Sequence, residues 1–242
     1  MSTLTRFSVL AFVGTASLSS CAVYKPTIPC TPLVTQAGQV EIATSLQLAS
    51  SLEASVAWSP VSHLIVLGEA GYDCGGNTHA KAGFGIGGYQ LVGKDKTLYL
   101  GAIGGIGSAT VDVKGVTGSY FNAAYPSISA DYTNYYGQLY AAHLGRVSFG
   151  GALRTTFVNY QNVVQDGQPV ETQTRFFLEP CVFVRFGRGP VQFQGTIGGS
   201  EPVMQANQKL DGSSNLEDQL FPQSRIFGVG LVIRPHLFTK HQ

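Results

Sequence analysis

Between residues 175 and 233 apolar and polar side chains alternate one by one. Phe176, Leu178, Val182, Val184 and Phe186 share one parity, while Arg175, Glu179 and Arg185 share the other. Past Gly187, Arg188, Gly189 and Pro190, Val191, Phe193 and Ile197 alternate with Gln192, Gln194 and Thr196. After a long polar stretch, Phe227, Val229, Leu231 and Ile233 alternate with Gly228, Gly230 and Arg234. A period of two puts successive side chains on opposite faces of an extended strand. One face here is wholly apolar. The other carries charge among Gly, Gln, Thr and Cys, with Phe177 and Phe183 as exceptions. Two faces so unlike suit a wall between lipid and a polar lumen better than the skin of a soluble protein.

The same alternation runs through the rest of the chain. Val40, Ile42, Leu46 and Leu48 oppose Gln39, Glu41, Ser45 and Gln47, and Leu52, Ala54, Val56 and Trp58 oppose Glu53 and Ser55. Further strands are expected over 63–72, with Glu69 on the polar face, and over 79–90, where Ala80, Ala82, Phe84 and Ile86 oppose Lys81, Gly83, Gly85 and Gly87. Segments 97–111, 135–144 and 147–160 complete the set, the last with Arg154 opposite Leu153 and Phe157. About ten strands result, each near the ten-residue length that crosses a membrane as part of a barrel. Connections near Ser59, Lys94, Gly145 and Arg188 are short, whereas those after Val111, Tyr160 and Gly199 are long and polar, with 112–134 and 162–171 read as loops. Only the tight hairpin at Ser50 interrupts this. Short turns on one rim and long loops on the other predict an all-β fold, an up-and-down antiparallel transmembrane β-barrel of about ten strands over residues 38–242.

The N-terminus has another character. Residues 1–20 combine a basic start at Arg6 with an apolar run from Phe7 to Leu18 and then small residues, the pattern of a secretory signal. Leu18-Ser19-Ser20-Cys21 resembles the lipobox of bacterial lipoproteins. That resemblance implies cleavage before Cys21 and acylation of its thiol and new amino group; the other reading is an ordinary signal peptide cut nearby. Ala22 stands where enteric lipoproteins carry an inner-membrane-retaining aspartate. Residues 21–37, with Pro26, Pro29 and Pro32, are expected to form a lipidated, semi-rigid linker on the periplasmic side.

Charge narrows the picture. Charged residues make up 12% of the 242, about half the usual ~25% of soluble domains, while Gly reaches 30 and Tyr and Phe 11 and 14. A net charge of +1 with no basic run excludes nucleic acid as a partner. Downstream of the signal no apolar run approaches the ~18 residues of a helical span. The polar faces hold Glu41, Glu53, Glu69, Lys81, Arg154, Arg175, Glu179, Arg185 and Arg234, nearly balanced in sign. In a narrow barrel such a set reads as an internal salt-bridge network that fixes the wall; a gate for protons or small solutes is its other use. Trp58 and Phe186 beside short turns, with Tyr72, Tyr136 and Phe157 beside loops, fit two interfacial girdles.

From these patterns the chain resembles the small outer-membrane β-barrel proteins of Gram-negative bacteria over roughly 39–235. The resemblance implies delivery by the barrel assembly machinery and a location in the outer membrane with the long loops extracellular. Such barrels usually close on a strand ending in an aromatic residue; here Phe227 to Arg234 is followed by Pro235, and Phe238 by four more residues.

Other motifs carry no chemistry. Gly83-Phe84-Gly85-Ile86-Gly87-Gly88 contains the spacing of a dinucleotide loop, but Tyr89 to Gly93 continues as strand and turn, where that site needs a helix. Its glycines, with Gly101, Gly105 and Gly107, read as a thin inner wall. With Cys30 periplasmic, Cys74 extracellular and Cys181 in the lumen, a Cys30–Cys74 disulfide would have to span ~30 Å of membrane, so none is expected. His63, His79, His143, His236 and His241 lack ligand spacing, so no metal is expected. Asp73 with His79, or Asp131 with His143, could form a surface hydrolase site, but the paired aspartates of outer-membrane proteases are missing. The expectation is a non-enzymatic, cofactor-free outer-membrane lipoprotein whose Tyr-rich loops serve adhesion or envelope integrity, with lipid as its partner and no extracellular partner named. The alternatives are a lipid-anchored soluble barrel with an apolar ligand inside, an outer-membrane hydrolase, or a narrow pore.

Overall fold

The structure, a computed structural model, describes residues 23–47, 51–73, 78–117, 124–125, 127–170, 174–187, 189–203 and 224–238. Ten long strands form the wall: β1 Val40–Gln47, β2 Ser51–Trp58, β3 Leu64–Asp73, β4 Thr78–Val92, β5 Leu98–Val113, β6 Ile128–His143, β7 Val147–Gln165, β8 Arg175–Phe186, β9 Val191–Pro202 and β10 Ser224–Ile233. Each pairs antiparallel with the strand before and after it in sequence. β10 closes the ring on β1, with Ile42 opposite Ile233 and Gln47 opposite Gly228. The expected closed up-and-down barrel of ten strands is what forms. Closure leaves no free sheet edge across the ring, so the strands' backbone groups there pair with one another.

Four tight turns lie at one rim: 59–63, 93–97, 144–146 and 187–190. Gly93 and Gly187 hold φ of +92° and +119° there, a region open to glycine without steric cost. The other rim carries the connections 114–127 and 166–174 and that between Pro202 and Ser224; the connections from β1 to β2 and from β3 to β4, also at this rim, are short. Two stretches read as loop are instead strand. β6 begins at Ile128 and β7 runs to Gln165, so β5, β6 and β7 stand beyond their neighbours on the long-loop side. Polar residues such as Ser129, Thr133, Asn159 and Gln161 lie on their outer surface, which hid the alternation. Ala109, Val111, Val113, Ile128, Ala130, Tyr132, Val158, Tyr160 and Val163 pack together on the inner surface. Asp166 and Gly167, with φ of 48° and 79°, turn β7 back onto a short Gln168–Pro169 strand.

The apolar parity faces outward throughout. Leu46, Val56, Phe84, Ile86, Leu100, Ile106, Leu139, Phe149, Leu153, Val182, Phe193, Ile197, Val229 and Leu231 are all exposed. Along β7 the outward positions run Val147, Phe149, Gly151, Leu153, Thr155 and Phe157 before turning polar at Asn159. Eleven residues in a tilted strand correspond to a band about 25 Å tall. Trp58, Phe186 and Phe193 stand near its short-turn edge and Tyr72, Tyr135 and Phe157 near the other, with Phe157 and Phe176 in ring contact at 4.6 Å. Tyr136 does not belong to that girdle. β6 carries aromatics on both parities, and it is Tyr135 that faces out while Tyr136 is buried in the lumen.

The largest departure concerns residues 23–38. They are not a linker outside the barrel but a strap inside it, running down the lumen from the long-loop rim to the short-turn rim without regular secondary structure. Val23, Tyr24, Ile28, Thr31, Leu33 and Val34 are among the most buried residues of the protein. The strap begins where Tyr24 stacks on Phe177 at 4.3 Å and ends where Gly38 N–H donates to Ser59 O at 2.7 Å. Physically, ten strands enclose more space than their own inward side chains fill, and a closed void would forfeit dispersion contacts along its whole lining. Cys21 and Ala22 lie outside the described residues, as does Cys74.

Candidate functional site

The lumen gathers buried charge among the described residues, and the strap explains how that charge is satisfied. Strand parity brings Glu41, Glu53, Glu69, Lys81, Arg154, Glu179 and Arg185 inward, with Arg234 just past β10 at the short-turn rim. Near that rim Glu41 accepts from Arg185 at 2.8 Å and from Arg234 at 3.1 Å. Its second oxygen also accepts the backbone N–H of Leu33 at 3.4 Å. Arg185 further donates to Thr31 O at 2.6 Å and to Gln194 at 2.7 Å. One guanidinium thus ties two strands to the strap.

Higher in the lumen the arrangement repeats. Lys81 bonds Glu53 at 2.5 Å and reaches Pro26 O at 3.3 Å, while the other oxygen of Glu53 accepts Ile28 N–H at 2.8 Å. Across the barrel, Arg154 forks onto both oxygens of Glu69 at 3.3 and 3.1 Å. Its Nε donates to Gln138, whose amide donates to Cys30 O at 2.6 Å. The same guanidinium lies over the Tyr136 ring, 4.3 Å from its centroid. Glu179, fully buried, accepts three hydroxyls: Tyr24 at 2.8 Å, Thr156 at 2.9 Å and Ser200 at 3.1 Å. Arg175 sits half-buried at the top of β8. Lys25 pairs with Asp73 at 2.6 Å at the long-loop mouth.

The strap's composition suits this receptor. Pro26, Pro29 and Pro32 hold it extended and remove three N–H groups that the lumen would otherwise have to satisfy. Of those that remain, Ile28 and Leu33 donate to wall carboxylates. The carbonyls of Pro26, Cys30, Thr31 and Pro32 receive Lys81, Gln138, Arg185 and Tyr140. A set of balanced charges that pairs with itself and also with one extended backbone is a peptide-holding groove rolled into a tube.

Glycine and tyrosine shape the rest. On the inner face a side chain at Gly101 would run into the Tyr140 ring, and one at Gly105 into Tyr136 and the Phe84 carbonyl. The glycines of β4 and β5 therefore make room for tyrosine rings from β6 as well as for the strap. Tyr89, Tyr99 and Tyr140 stack at 5.4 and 5.7 Å and, with Leu33, Val34, Ile65 and Leu67, close the short-turn end. Small cavities among the described residues lie beside Thr27, Glu69 and Lys81 and beside Ile28, Ser45 and Ser55, each with room for about one or two waters.

The residues weighed for hydrolysis each have other partners, although Asp73 and His79 end up at neighbouring ends of β3 and β4. Asp73 is engaged with Lys25, and His79 shares a 3.0 Å hydrogen bond with Tyr132. Asp131 faces outward and accepts from Thr110 and Asn162, while His143 lies at the opposite end of β6 against Phe149. Cys30, expected outside the barrel, lies in the lumen 3.1 Å from Ser55 Oγ, and Cys181 is buried on the inner wall; both are free thiols. Sequence reading missed the strap, although prolines at a spacing of three ahead of ten charge-lined strands were its signal. No known family model matches the chain, and no curated protein matches it at a significant level.

Proposed function

We propose that this protein is a non-enzymatic outer-membrane β-barrel, anchored additionally through lipid on Cys21, that presents its long connections for a structural or adhesive role in the cell envelope. The observation that carries this reading is the outward belt. It is about 25 Å tall, apolar on all ten strands and edged by aromatic residues. Among the described residues, the outward charges Asp112, Asp131, Glu201 and Arg225 occur only toward the long-loop ends of their strands. In water that belt would be a continuous apolar surface far larger than soluble monomers tolerate. In a bilayer it matches the hydrocarbon thickness.

The same orientation speaks against a soluble barrel with an apolar ligand inside, because the exposed outer face is apolar and the lumen is taken by residues 23–38. The filled lumen also disfavours a pore.

The test is migration of the membrane fraction on SDS gels with and without boiling. Faster migration before boiling, from a protein that stays with outer membranes after a salt wash, is the expected result. A protein that is washed off, or that migrates identically in both conditions, defeats the reading.

A further inference from the structure

The strap has a direction, and that direction conflicts with a lipid anchored beneath the short turns. Lys25 meets Asp73 at the end of β3, Pro26 meets Lys81, Ile28 meets Glu53, Thr31 meets Arg185 and Leu33 meets Glu41. These contacts descend in order from the long-loop rim to the short-turn rim. Val23 and Tyr24 are packed at the upper end among Val111, Val113, Ile128, Val163 and Phe177, on the part of the wall formed by the overlong strands. Cys21 precedes Val23 by two residues, and two residues span at most about 7 Å. The apolar belt alone is about 25 Å tall. Cys21 therefore has no path back to the short-turn rim while residues 23–38 occupy the lumen.

We propose that the mature N-terminus is threaded through the barrel and leaves it at the long-loop rim, so that lipid on Cys21 and the long loops share the outer face of the membrane. Short turns on the periplasmic side and long loops on the outer side are the usual arrangement of such barrels. The acyl chains then enter the outer leaflet beside the barrel. Anchor and wall become two ends of one clasp: the strap's hydrogen bonds hold the N-terminus in the lumen, and the lipid resists its withdrawal downward. Stable anchoring from several acyl chains makes that resistance substantial. The inference rests on the membrane-barrel reading above and adds a topology to it.

The test places one short epitope at a time in the full-length protein: between Ala22 and Val23, between Gly212 and Ser213, and between Lys94 and Asp95. Antibody binding is then compared on intact and permeabilised cells. Each variant is first checked for a heat-dependent gel shift, so that failure to form a barrel is recognised separately. Binding to the first two epitopes on intact cells, with the third bound only after permeabilisation, is the expected result. An N-terminal epitope hidden on intact cells while the one at 212–213 is bound rejects the threading. Both hidden, with the 94–95 turn exposed, rejects the outer-face placement. Incorporation of labelled palmitate by the parent and its loss in Cys21→Ser supports the lipid half, and an unlabelled parent overturns that half while the epitopes still decide the threading.

Discussion

The guanidinium of Arg185 donates to the Thr31 carbonyl at 2.6 Å while holding Glu41 at 2.8 Å, so one side chain of β8 secures both β1 and the strap that precedes it. Replacing Arg185 by Leu removes the principal partner of a buried carboxylate and leaves Arg234 as its remaining base. Loss of one member of a buried pair costs about 3–5 kcal/mol. The expected outcome is a clear fall in the urea concentration at which the fast-migrating gel form is lost. A midpoint equal to that of the parent would mean that Glu41 and the strap are held by other contacts.

Gly101 and Tyr140 form a size-matched pair. A methyl at Gly101 meets only the Tyr140 ring among its nearest neighbours. Gly101→Ala is expected to cost about 1–3 kcal/mol, the range of core overpacking. Combined with Tyr140→Ala, it should add almost nothing to the cost of that change alone. Additive losses in the double-mutant cycle would show that the glycine is needed for its backbone instead.

The outward belt gives a position-dependent prediction. Leu139 is 65% exposed near mid-height on β6, whereas Asp131 is outward on the same strand beyond the belt. If lipid faces Leu139, Leu139→Arg costs about 2–4 kcal/mol and Asp131→Arg far less. Unfolding of the purified barrels in detergent or lipid vesicles measures both. Equal effects at the two sites would place neither in hydrocarbon.

Removing residues 23–34 from the mature chain empties the lumen while keeping all ten strands. The parent is expected to be silent in planar bilayers. The shortened barrel should conduct through a channel lined by Glu53, Glu69, Lys81 and Arg154. A deletion variant that keeps its heat-dependent gel shift yet stays silent would show that the wall's own side chains close the lumen.

The wall was legible because its physics is local. In β8, Phe176, Leu178, Val182, Val184 and Phe186 alternate with Arg175, Glu179 and Arg185, and the parity of a strand needs no knowledge of its neighbours. Glycine-rich β4 and β5 were readable as a thin wall for the same reason. β6 was ambiguous in isolation, since Tyr135 and Tyr136 give both parities an aromatic. Only the space opposite Gly85 and Gly105 decides that Tyr136 turns inward. The ends of β6 and β7 were hidden because beyond the belt water replaces lipid, and Ser129 or Asn159 on an outer face then looks like loop.

Alternation by itself determined an antiparallel barrel of about ten strands and the facing of its side chains outside β6, because both follow from strand geometry and the length of a strand. Residues 23–38 have no period, and their prolines describe an extended chain equally well in solvent or in a tube. Where that chain goes was decided by tertiary structure alone. The void inside ten strands, and the buried carboxylates and guanidiniums lining it, exist only once the ring has closed. Only then do Ile28 N–H and the Thr31 carbonyl find Glu53 and Arg185 within reach.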